Sequence, residues 1–105
     1  MADVERISAF AENAIEQGNP NLLVPWYLIG CYAYYVLDDP VLSDDLFDRI
    51  CFLLMEALDA IEIDHMHAHL CDPEALQAGT GYQLKDYPSR VASVAERFIA
   101  GEVPT

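Results

Sequence analysis

Positive charge is the scarcest feature of this chain. Four arginines and a single lysine, Lys85, stand against 18 acidic residues, which gives a formal charge of −13 over 105 residues. That shortage argues against DNA or RNA as a direct ligand, because duplex affinity comes mainly from Lys and Arg replacing counterions on phosphates. It argues equally against an anionic membrane surface. A long hydrophobic run is missing too. Leu22–Leu37 is the most apolar stretch, but Pro25 and Gly30 punctuate it and it falls short of the roughly 20 residues a bilayer span needs. The chain does not open with a basic segment followed by an apolar one, so no secretory signal is expected. Cysteine is sparse: Cys31, Cys51 and Cys71 cannot all pair, and each sits in an apolar or helical setting. Buried free thiols in a reduced, cytoplasmic protein are the expectation. What remains for a ligand is a basic protein surface, a cation or a small molecule.

The residues that are present amount to one domain, 1–105, since a chain of this length can bury roughly 65% of its unfolded surface without staples. The pattern predicts an all-α fold of four to five helices. Asp3 caps a first helix with Ile7, Phe10, Ala11 and Ala14 inward, stopped by Gly18. A second helix begins near Asn21, tolerates Pro25 only in its first turn and runs to about Leu37, where Asp38-Asp39-Pro40 ends it. Ser43 is a natural N-cap for a third helix, with Asp44 and Asp45 where the helix dipole favours negative charge. Its apolar stripe runs Leu46, Phe47, Ile50, Leu53, Leu54, Ala57, Leu58, Ile61. After residue 62 the pattern suits a short irregular or hairpin segment. Asp72-Pro73-Glu74 then starts a one-turn helix ending at Gly79, residues 79–87 form a loop or short hairpin, and Pro88 begins a final helix with Val91, Val94, Ala95, Phe98 and Ile99 inward.

The most informative stretch is Tyr34-Tyr35-Val36-Leu37-Asp38-Asp39-Pro40-Val41-Leu42-Ser43-Asp44-Asp45-Leu46-Phe47-Asp48-Arg49. Asp44 and Asp48 are four residues apart, so they share one helix face with Phe47 beside them. This stretch resembles the N-terminal helix–loop–helix of bacterial NAD-dependent DNA ligases, whose pattern is roughly Tyr-(His/Tyr)-x-x-Asp-x-Pro-x-(Ile/Val)-(Ser/Pro)-Asp-x-x-Tyr-Asp-x-Leu. In that family a small helical domain holds the nicotinamide mononucleotide half of NAD. The resemblance implies cofactor contacts from Tyr34, Tyr35, Asp44, Phe47 and Asp48, with aromatics sandwiching the nicotinamide ring and carboxylates meeting the ribose hydroxyls and the cationic pyridinium. Phe47 keeps the ring of the family's tyrosine without its hydroxyl. No Lys-x-Asp-Gly nucleophile motif occurs, so this chain alone is expected not to ligate DNA, and no catalytic residue is assigned. The chain also looks similar to small stand-alone ligase-related proteins of phage and bacteria.

Three further patterns bear on function. His65, His67 and His69 alternate, and on an extended segment they would face one side, which makes them weak candidates for a transition metal. Capping and loop hydrogen bonds are the plainer use of the same residues. Ala78-Gly79-Thr80-Gly81-Tyr82 has the glycines of a phosphate cradle without its lysine, and better suits a helix C-cap and a turn. If a mononucleotide binds, this loop and Arg49 or Arg90 are the candidates for its phosphate. Finally, Asp38, Asp39, Asp44, Asp45 and Asp48 can imitate a phosphate backbone. The alternative function is therefore an acidic inhibitor, similar in size and charge to anti-CRISPR proteins, that binds a basic nucleic-acid-handling protein.

Overall fold

The computed structural model describes residues 2–79, 84 and 86–102, and over these the fold is all-α. The described residues form five α-helices and no strand: α1 Val4–Glu16, α2 Leu23–Cys31, α3 Asp44–Asp59, α4 Pro73–Ala78 and α5 Ser89–Ile99. None of them is long and apolar enough to cross a membrane.

α2 is the centre of the packing. Eight of its nine residues are buried, so it has no polar face, and a helix apolar all round belongs inside a fold. α3 and α5 pack against it, and α4 packs against α3. A single 3₁₀ turn, Pro20–Leu22, leads into it, capped by the Asn19 side chain, which accepts from the Asn21 N–H at 3.1 Å. Pro25 lies in the first turn, where its missing N–H costs nothing. Trp26 joins three helices: Phe10 of α1 meets it edge-on and Phe98 of α5 stacks on it, both at 5.9 Å between ring centroids. Each such pair contributes about 0.5–1.5 kcal/mol beyond its buried area.

The helix caps fall where the side chains call for them. Asp3 accepts from the Arg6 N–H at 3.2 Å, and Asp72 from the Glu74 N–H at 3.1 Å. Ser43 acts twice: its Oγ accepts from the Leu46 N–H at 3.2 Å, and its own N–H donates to Ser8 Oγ at 2.9 Å. The second bond ties α1 to the start of α3. Gly79 ends α4 in the left-handed region at φ 69°. In α5, which begins one residue after Pro88, Val91, Ala95 and Phe98 are buried, with Val94 and Ile99 packed against the core.

Two expectations need correction, and a third lies largely outside the described residues. The second helix does not reach Leu37 as an α-helix. It ends at Cys31 and widens into a π turn, Tyr32–Val36, in which the Leu37 N–H donates to the Tyr32 carbonyl at 3.1 Å. Asp38 then takes φ 53° and the Asp39 N–H donates to the Ala33 carbonyl at 2.9 Å, which turns the chain so that Val41 and Leu42 enter the core. Ile61 does not join the α3 stripe: it lies past the helix end at φ 58° and is 89% exposed. The loop or hairpin expected over 79–87 falls mostly outside the described residues, as do Thr80, Gly81, Tyr82 and Lys85.

Candidate functional site

A cleft of about 370 Å³ opens between the end of α2, the loop that follows it and the first two turns of α3. All five residues singled out by the motif line it: Tyr34, Tyr35, Asp44, Phe47 and Asp48. The elements explain how they meet. The π turn carries Tyr34 and Tyr35 at the rim, 52% and 39% exposed, with their rings 4.7 Å apart and nearly perpendicular. π turns of this kind occur often at functional sites. The Ser43 cap fixes the start of α3, which sets Asp44 in its first turn and Phe47 and Asp48 one turn on.

The floor is aromatic. Phe47 stacks on the fully buried Tyr27, with ring centroids 5.8 Å apart and planes 22° from parallel. Gly30 makes this arrangement possible. A Cβ at that position would lie 2.9 Å from Phe47 Cδ1 and 3.1 Å from Leu42 Cδ1. Gly79 comes close on the other side, where a Cβ would sit 3.2 Å from Asp48 Oδ1. Pro40, Val41 and Leu42 supply apolar wall.

The sequence did not mark Gly30 or the Pro40–Leu42 wall as parts of a site. A signal for Gly30 existed: it is the one residue without a side chain in an otherwise bulky helix, four positions before Tyr34. Gly79 was expected as a cap and, within its loop, as a phosphate contact. It is a cap and also borders the cleft.

Among the described lining residues, charge is one-sided. Asp44 and Asp48 are exposed carboxylates, and no Lys or Arg is found among the described residues that line it. Arg49 pairs with Glu12 of α1 at 3.0 Å, and Arg90 lies at the start of α5. Neither lines the cleft. Behind the floor, burial pushes the Cys51 thiol up to about 12, with the Asp48 charge adding to the effect. Cys31 and Cys71 are also buried and free, and burial raises both.

The histidines lie elsewhere. Residues 66–70 form a turn and a 3₁₀ turn, Ala68–Leu70, in place of the extended segment expected. Only His69 lies within that 3₁₀ turn, and His67 lies in the turn before it, so the three are not alternate residues of one strand. The ring centroids are 5.6 Å apart for His65 and His67 and 6.4 Å for His67 and His69, and His65 Nδ1 accepts from the His67 N–H at 3.1 Å. Among the described residues, no group of three or more His, Cys, Asp or Glu is arranged to hold a metal ion.

No protein-family model, no curated protein and no solved structure matches this chain.

Proposed function

We propose that this protein is a non-catalytic binding module that takes the nicotinamide mononucleotide half of NAD, free or as part of the dinucleotide, in the cleft between α2 and α3. A ligase-type partner that uses NAD is the setting the motif suggests, in a reducing cytoplasm where three buried thiols persist. One observation carries the reading: the five residues singled out by the motif from sequence line one cleft. The chemistry is consistent with it. A cationic pyridinium against aromatic faces gains about 0.5–2 kcal/mol, and a ribose hydroxyl donating to a carboxylate gains about 1.5–3 kcal/mol. The volume lies at the small end of the range of about 300–1,000 Å³ for small-molecule sites, which suits one ring and one sugar.

Calorimetric titration with nicotinamide mononucleotide and with NAD tests the proposal. Micromolar binding is expected. Asp48→Ala should weaken it roughly ten- to a hundredfold while leaving the helical circular dichroism unchanged. Absence of heat at millimolar ligand rejects the reading.

A second reading rests on the charge of −13, with Asp38 and Asp45 exposed and Asp39 half-exposed. In it the acidic surface binds a basic nucleic-acid-handling protein as a phosphate mimic. Lysine at positions 38, 39 and 45 separates the two. It abolishes capture by a basic partner and spares nucleotide binding, which needs Tyr34 and Phe47.

A further inference from the structure

We propose that a second hollow, which shares no described residue with the cleft, seats a lysine or arginine side chain of a basic protein partner. It holds about 270 Å³ between the end of α1, the start of α2 and the second half of α3. Leu23 and Ala57 are buried at it, and Ile15 and Leu53 are half-buried against the core, so its floor is aliphatic. Glu56 and Glu62 line it as well, and both are exposed. Glu56 belongs to α3 itself. Glu62 comes from the turn beyond, where Ile61 takes the left-handed region and the Glu62 N–H donates to the Ala57 carbonyl at 2.9 Å. Helices therefore build the floor, and the turn adds one carboxylate.

An aliphatic floor with two carboxylates beside it matches one side-chain chemistry. Lys and Arg lay their hydrocarbon stems along apolar surface and keep the charged head at the water boundary. A neutral aliphatic side chain would use the floor but strip water from the carboxylates without replacing it. The volume lies below the range of about 300–1,000 Å³ for small-molecule sites, which suits a single side chain and not a cofactor. A protein is the source because a chain of net charge −13 draws a basic surface from a distance, whereas a lone amine gains the hollow alone. This inference is independent of the nucleotide reading. It shares with the second reading only a basic partner, and it places the anchor on residues that reading does not use.

The test is a titration of the isotope-labelled full chain, read from its amide chemical shifts, with the end-blocked tripeptides Gly-Lys-Gly and Gly-Arg-Gly. Peptide is taken to about 20 mM, since a single side chain is expected to bind in the millimolar range. Salt is kept at about 150 mM, where the screening length of about 8 Å suppresses attraction from distant carboxylates. Shifts should concentrate at Leu23, Leu53, Ala57 and Glu62 with at least one of the two peptides. Norleucine keeps the lysine stem without its charge, and diaminopropionate keeps the charge on a short stem. Each should bind at least about threefold more weakly than the better basic peptide. Glu56→Gln combined with Glu62→Gln, both at exposed positions, should cost roughly three- to tenfold. Glu74→Gln combined with Glu96→Gln removes the same charge from α4 and α5, away from the lining of the hollow, and should cost less than about twofold. Equal losses from the two pairs overturn the inference, as does norleucine or diaminopropionate binding as tightly as the basic peptides. Butylamine bound more than about tenfold more tightly than either peptide overturns it too, because the hollow then serves a free amine. Shifts confined to the surroundings of Asp38, Asp39 and Asp45 overturn it and leave the second reading standing. No shift with either peptide overturns it as well.

Discussion

Two helices run out in this protein, and they do so in different ways. At the end of α2 every local signal points in one direction. The π turn hands over to Asp38, whose short polar side chain tolerates the left-handed region at φ 53°. Pro40 forbids a return to helix, Val41 and Leu42 go into the core, and Ser43 caps the next helix. The cleft is built on that agreement. At the end of α3 the signals conflict. Ile61, a β-branched residue, takes the left-handed position at φ 58° while the Glu62 N–H donates to the Ala57 carbonyl at 2.9 Å. Glycine usually fills such a position. The path beyond it is set from outside: the Asp64 N–H donates to the Asn21 side chain at 2.6 Å, and Cys71 is buried. A helix end that satisfies its own local preferences can hold a site, whereas one forced by distant contacts mainly connects.

The largest expected effect concerns the sealed core that the two regions share. Cys31 comes from α2, Cys51 from α3, and Cys71 from the end of the connecting segment. Burial raises all three thiols, Cys51 and Cys71 from about 9 to about 12. Below pH 9 both folded and unfolded chains keep these thiols protonated, so their contribution is fully present. Above it the unfolded chain ionises first, and stability falls as pH rises from about 9 through about 12, by an amount on the order of a few kcal/mol. Urea unfolding midpoints from pH 7 to 11 check this, and Cys51→Ala should make the alkaline slope shallower. Undiminished stability at pH 11 would mean that solvent reaches the core at one of the two helix ends.

Gly30→Ala attacks the ordered end. The new Cβ meets the Phe47 ring at 2.9 Å, and overpacking of this kind costs about 1–3 kcal/mol. Phe47 should be driven toward the cleft, so nucleotide binding should fall along with stability. Unchanged binding in this variant would show that the position of Phe47 does not control the cleft.

The smallest effect belongs to the conflicted end, and it has the opposite sign. The left-handed conformation costs a side-chain-bearing residue roughly 1–2 kcal/mol. Glycine escapes that cost but gives back about 0.5–1 kcal/mol through the greater freedom of the unfolded chain. Because Ile61 is 89% exposed, little burial is lost. Ile61→Gly should therefore stabilise the protein by about 0.5–1 kcal/mol, readable as a rise in thermal midpoint. Destabilisation would show that the Ile61 side chain is covered in solution.

The same contrast explains what could be read in the sequence. Caps are local: Asp3, Ser43 and Asp72 bond to amides two or three residues away, so the sequence alone locates them. The shared face of Asp44 and Asp48 follows from the helix repeat. The π turn was not legible, because an α-helix and a π turn draw on the same residues and differ only in which carbonyl the Leu37 N–H finds. His65, His67 and His69 misled because alternation implies one face only on extended backbone, and residues 66–70 turn instead.

By itself the sequence determined an all-α chain, the starts of its helices and the residues of its hairpin motif, because these depend on interactions within one or two turns. Tertiary structure decided that the motif lines a cleft, that Phe47 rests on Tyr27 over Gly30, and that Gly79 comes close to Asp48. The approaches of Phe47 to Gly30 and Tyr27 and of Gly79 to Asp48 join residues 17 or more positions apart in the chain, across helices whose packing is fixed only when the whole core closes around α2.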